Sequence, residues 1–129
     1  MDPEVGAVFG AYPPALRKAL LELRRLILET AAEADVGEIV EVLRWGQPAY
    51  LTARPRTGTT IRIDAIKGSI DRYAMYVNCK TTLMDRYRLH YPDAFEFEGQ
   101  RAVVLSTRAV PSEAALKHCI SMALTYHRK

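Results

Sequence analysis

The hydrophobic pattern of this chain first changes period at Leu43-Arg44-Trp45-Gly46-Gln47-Pro48-Ala49-Tyr50. Ahead of it the apolar positions recur at three- and four-residue steps. Leu16, Ala19, Leu20, Leu23, Ile27 and Ala31 face one way, and Arg17, Lys18, Glu22, Arg24, Arg25 and Glu29 fill the other side. That spacing predicts an amphipathic helix of about five turns, entered through Tyr12-Pro13-Pro14 with Pro14 in its first turn. A second helix is predicted from Asp35, with Glu38 completing a capping pair and Ile39, Val40 and Leu43 as its inner face. Gly46 and Pro48 bar its continuation.

Beyond the turn the period is two. Pro48 to Ala53 predicts a short strand, followed by the loop Arg54-Pro55-Arg56-Thr57-Gly58. In Thr59 to Ile66, Ile61, Ile63 and Ala65 alternate with Thr60, Arg62, Asp64 and Ile66. In Arg72 to Cys79, Tyr73, Met75, Val77 and Cys79 alternate with Ala74, Tyr76 and Asn78. Residues 67 to 71, with Gly68, suit a hairpin between them. Thr81 or Thr82 then caps a short helix that Pro92 ends. Phe95 to Phe97 and Arg101 to Ser106 straddle the turn Glu98-Gly99-Gln100, and a last helix runs from Pro111-Ser112-Glu113 to about His127. Hairpin-linked strands with helices segregated to the ends predict an α+β domain, an antiparallel sheet covered on one face by the terminal helices. The other face is left open.

Composition narrows the class. With 129 residues, 49% hydrophobic and 26% charged, the chain is one ordinary globular domain. No apolar run reaches the roughly 20 residues of a membrane span, and the acidic start lacks a secretory pattern. The expectation is a cytoplasmic protein without membrane partners. Net charge is only +3, and the basic groups Arg54-Pro55-Arg56, Arg86 with Arg88, and Arg128-Lys129 are too sparse for a nucleic-acid arm. They are read as solvated surface. Cys79 and Cys119, 40 positions apart among apolar neighbours, are read as reduced and structural.

No phosphate-binding loop, nucleophile elbow or zinc-protease helix is present, so no catalytic residue is assigned. An enzyme with Cys79 as nucleophile, beside Lys80, is the weakest of three functional readings. The candidate site is instead polar and aromatic. Trp45, Gln47 and Tyr50 come from the turn, Arg62 and Asp64 from one strand, Tyr76 and Asn78 from another, and Lys67 from a hairpin end. Brought together on the open face, they suit an anionic or planar ligand. The same face is a candidate homodimer surface.

Arg44-Trp45-Gly46-Gln47-Pro48-Ala49-Tyr50, with Leu20-x-x-Leu23-Arg24-x-Leu26-Ile27 before it, Lys67 directly after the strand Thr59 to Ile66 and Glu98-Gly99 ahead of an apolar strand, resembles the YdhG-like proteins. The resemblance covers roughly residues 12 to 127. It implies terminal helices packed on an antiparallel sheet, and it offers no catalytic residues to carry over. One member is described as a frataxin-like intracellular iron chaperone. Two functions therefore stand as expectations: a non-catalytic domain binding a small molecule or protein on the open face, needing no cofactor, and alternatively an iron chaperone using helix carboxylates with His118 or His127.

Overall fold

The computed structural model describes residues 1–128 as four helices and six strands in the order α1(Pro3–Ala11), α2(Pro14–Glu33), β1(Glu38–Arg44), β2(Gln47–Arg54), β3(Ile61–Ala65), β4(Arg72–Tyr76), α3(Leu83–His90), β5(Glu96–Glu98), β6(Ala102–Ser106) and α4(Glu113–Leu124). Lys129, the last residue of the basic tail, lies outside the described residues. The strands form one antiparallel sheet in the order β1-β2-β3-β4-β6-β5, so the fold is the α+β arrangement that the pattern predicts. All four helices share a single core with the inward residues of the sheet, among them Tyr50, Ile61, Ile63, Tyr73, Met75, Val103 and Leu105. The opposite face carries only the small cluster Ala74, Ala102 and Val104, edged by Ile66 and Tyr76. Among the described residues no helix is long and apolar enough to cross a membrane.

The helix expected from Asp35 is a strand. Asp35 ends α2 instead of starting a helix: its φ is 53°, and the amides of Val36 and Asp35 donate back to the carbonyls of Ala31 and Ala32. That double bond pattern is a Schellman stop, with Asp rather than Gly in the left-handed position. The buried Val36 seals it. Past Gly37 (φ 80°) the β-branched Ile39, Val40 and Val42 favour extended backbone. Apolar residues occupy both faces of β1, so its period of two is hidden and Ile39-Val40-Leu43 imitates a helical spacing.

Trp45 and Gly46 then form a two-residue hairpin, with φ of 53° and 76°. Both central positions of such a turn need positive φ. Gly meets that freely, whereas Trp pays about 1 kcal/mol for it. The turn sets β1 against β2 from Arg44↔Gln47 inward.

The first helix, α1, has no counterpart in the sequence prediction. Asp2 caps it by accepting from the Glu4 amide at 2.8 Å, and Arg17 closes its far end on the carbonyls of Phe9, Gly10 and Tyr12. It buries Val5 and Phe9. Its length and two glycines leave too weak a periodicity to see. Thr82 stands at the N-cap of α3 without the side-chain bond expected of it.

The last helix stops at Leu124, short of His127, because the β2–β3 loop takes over its end. The Thr59 amide donates to the Ala123 carbonyl at 3.0 Å and the Thr57 hydroxyl to the Leu124 carbonyl at 2.8 Å, while the His127 amide donates to Thr57. Gly58 makes this fit possible, since a Cβ there would stand 2.3 Å from the Leu124 backbone. At the other end Ser112 caps α4 as expected, accepting from the Ala115 amide. Lys117 and Arg25 tie α4 to α2 through Glu29, Glu33 and Glu113.

Candidate functional site

Arg62 on β3 is the centre of the open face. Its register partners are Ala49 on β2 and Tyr76 on β4, so a small residue on one side leaves room for the guanidinium to lie over the sheet. The guanidinium carbon sits 4.8 Å from the centre of the Trp45 ring and 5.3 Å from that of Tyr76. Contacts of this kind contribute roughly 0.5–2 kcal/mol each. Arg62 also donates to the Gln47 Oε1, Gln47 donates onward to Asp64 Oδ2 at 3.1 Å, and the Tyr12 hydroxyl donates to Asp64 Oδ1 at 2.7 Å. The chain Tyr12–Asp64–Gln47–Arg62 fixes the guanidinium through a neutral amide. The carboxylate that could neutralise Arg62 is occupied one residue away.

Beside this residue is a groove of about 430 Å³ whose walls include Arg44, Trp45, Arg56, Arg62, Asn78 and Arg101. Thr59, Thr60, Val77 and Cys79 complete it. Four guanidiniums thus face one groove, and among the described residues no carboxylate lines it. Elsewhere Arg24, Arg25, Arg72, Arg108 and Lys117 each meet a carboxylate, whereas among the described residues no salt bridge reaches Arg44, Arg56, Arg62 or Arg101. Burial lowers the pKa of Arg62 and the charge of Arg101 lowers it further. The first reflects lost hydration of the guanidinium and the second a like charge beside it, and an anion bound between them would offset both. Trp45 stands at the rim, 87% exposed, with one face held by Arg62. Arg101 reaches over Tyr76 at 5.9 Å, so the rings and guanidiniums alternate.

Each wall has a structural cause. The β1–β2 hairpin delivers Arg44 and Trp45, and the loop pinned to α4 by Thr57, Gly58 and Thr59 delivers Arg56 and Thr60. The residues after β4 supply Asn78 and Cys79, and the β5–β6 turn supplies Arg101, whose carbonyl accepts from the Val77 amide at 2.8 Å.

Of the residues expected here, Trp45, Arg62, Tyr76 and Asn78 come together, with Gln47 and Asp64 as supports behind Arg62. Tyr50 does not join them. It is fully buried on the helix-covered face, paired in register with Glu41, and donates to Glu41 Oε2 at 2.7 Å. The Arg24 fork from α2 grips the same carboxylate at 2.6 and 3.1 Å. The alternation explains this placement, since Gln47 and Ala49 point outward and Tyr50 must point in. Lys67 is exposed in the β3–β4 turn and lines neither this groove nor the other large cavity. Cys79 is exposed rather than buried, because β4 ends at Tyr76 and the chain turns away. Cys119 is buried as expected, and its thiol is pushed up to about 12 by that burial.

Arg44, Arg56 and Arg101 were not legible as a site, as each belongs to a different turn. Among the described residues no group of three or more His, Cys, Asp or Glu side chains stands close enough to hold a metal ion. His118 instead bonds the Tyr91 hydroxyl at 2.6 Å, with His90 against its ring. The second cavity, about 410 Å³, lies on the helix side between α2 and the β6–α4 connection, lined by Leu23, Leu26, Tyr73, Val110 and Leu116 among others.

The fold and the groove define an α+β domain with a basic, aromatic-rimmed site on its open sheet face. Compared with protein-family models, curated proteins and solved structures, the chain matches none.

Proposed function

We propose that this domain binds a small anionic ligand carrying a flat ring, such as a phosphorylated aromatic metabolite, without transforming it. The observation that carries the reading is the cluster of four carboxylate-free arginines around an exposed Trp. Guanidiniums grip phosphate or carboxylate oxygens in pairs, and the free face of Trp45 offers a stacking surface. The groove's lining holds no His, Asp or Glu to act as a base beside Cys79, so binding is favoured over nucleophilic catalysis.

Adenosine 5′-monophosphate is a suitable probe, with adenosine and inorganic phosphate isolating its two halves. Calorimetry is expected to give a saturable site for the monophosphate, at least tenfold weaker for either half. In Arg62→Gln and Arg101→Gln variants that affinity falls a further tenfold or more while the melting temperature moves by only a few degrees. Equal binding by wild type and both variants would overturn the reading.

A further inference from the structure

We infer that β1 pairs through its free edge with β1 of a second copy, antiparallel about a two-fold axis at Glu41. The pairing needs no ligand in the groove, although it shares Arg44 with the groove wall and sets that residue against Glu38 of the second copy. The strand Glu38–Arg44 is the outer strand at one end of the sheet. It is seven residues long and contains neither Lys nor Pro. Charged residues also blunt such edges, but its inward one, Glu41, is neutralised by Arg24, and its end charges, Glu38 and Arg44, are opposite in sign. The irregularity at Glu38/Ile39 adds Ala53 to β2 and leaves β1 itself regular.

The hairpin turn dictates which backbone groups of β1 are spoken for. A two-residue turn makes Arg44↔Gln47 a hydrogen-bonded pair, so Val42↔Ala49 and Val40↔Leu51 are the next such pairs. The amides and carbonyls of Ile39, Glu41 and Leu43 therefore point away from β2. No other hydrogen bond reaches them among the described residues.

One antiparallel self-pairing satisfies all three at once. It sets Glu41 opposite Glu41 of the second copy and Ile39 opposite Leu43. In that register Val40 meets Val42, and Glu38 meets Arg44 at both ends, where all four lie on the open-face side of the strand. Sliding the pair by two residues either way leaves one outward residue unmatched and separates Glu38 from Arg44. The opposed Glu41 side chains are already neutralised, each by the fork of its own Arg24. An interface of this kind is isologous, so it closes at two copies. The partner is a second copy of this chain because the strand is complementary in charge and shape to itself.

Sedimentation equilibrium of the full chain at about 100 μM tests this. The expected mass is twice the 14.5 kDa of one chain. Glu38→Arg and Arg44→Glu each oppose like charges at both ends and are expected to weaken association at least tenfold. The Glu38→Arg/Arg44→Glu double variant restores the opposition and is expected to recover the wild-type constant. Both side chains are exposed, and an unchanged far-ultraviolet circular dichroism spectrum checks that each variant folds. A monomeric wild type overturns the inference. So does a dimer indifferent to the single reversals, or a double variant no better than either single.

Discussion

Arg62 shows how one residue can belong to the fold and to the site together. It stands between Ala49 and Tyr76 on a sheet face where Ala49, Ala74 and Ala102 are all but fully buried although they lie opposite the helices. Its charged end is held by Gln47, Trp45 and Tyr76 in an environment short of negative charge. Glu41 is its counterpart on the covered face. Burial raises the Glu41 pKa, but hydrogen bonds from Arg24 and Tyr50 outweigh it and hold the carboxyl below its ordinary value. A depressed folded value means that the stability from Glu41 is present above the unfolded pKa, near 4.3, and is lost as pH falls through the folded pKa. Glu41→Gln should therefore cost about 1–3 kcal/mol at pH 7, with the difference from wild type shrinking as pH drops below about 4. Urea melts at pH 7 and pH 3 measure it, and an equal difference at both would refute the assignment.

At the scale of elements, the loop between β2 and β3 links stability to the site. Thr57 and Thr59 complete the end of α4 while Arg56 and Thr60 turn into the groove. Gly58→Ala drives a Cβ into the Leu124 backbone, where overpacking costs about 3 kcal/mol. The expected result is a melting temperature lower by roughly 10 °C, with weakened ligand binding as Arg56 is displaced. A variant as stable as wild type would show that the loop yields without cost. The same elements mark how far sequence reasoning reached. β3 and β4 were legible because one face is apolar and the other polar. β1 was not, as its outer face carries Val40 and Val42 and its inner face a charge, Glu41, whose partners come from α2 and β2. The arginines of Arg54-Pro55-Arg56 were visible as a basic pair, but only tertiary packing sets Arg56 across from Arg44 and Arg101.

Over the whole molecule the helices take one face and leave charge and aromatic rings to the other. The acidic side chains of α2 are spent on contacts within the domain: Glu22 and Glu29 meet Arg25, and Glu29 and Glu33 meet Lys117. Glu38 and Glu98 lie on the sheet side without a salt bridge among the described residues, but outside the groove that gathers Arg44, Arg56, Arg62 and Arg101, so a modest overall charge of +3 conceals a locally concentrated positive field. That asymmetry predicts salt-sensitive binding. Raising the salt from about 50 to 500 mM, which cuts the Debye length severalfold, should weaken adenosine monophosphate several-fold without altering the fold. A salt-independent affinity would point away from the arginines.

Trp45 is the only tryptophan in the chain, and it stands at the rim of the groove. Its indole N–H therefore gives a single proton–nitrogen correlation that needs no assignment to be recognised. Titrating the labelled protein with adenosine 5′-monophosphate should move that one peak saturably, with little movement from adenosine or phosphate alone, and the movement should vanish in Arg62→Gln. An indole peak that stays fixed through millimolar monophosphate would contradict the central claim that this groove is an anion site faced by an aromatic ring.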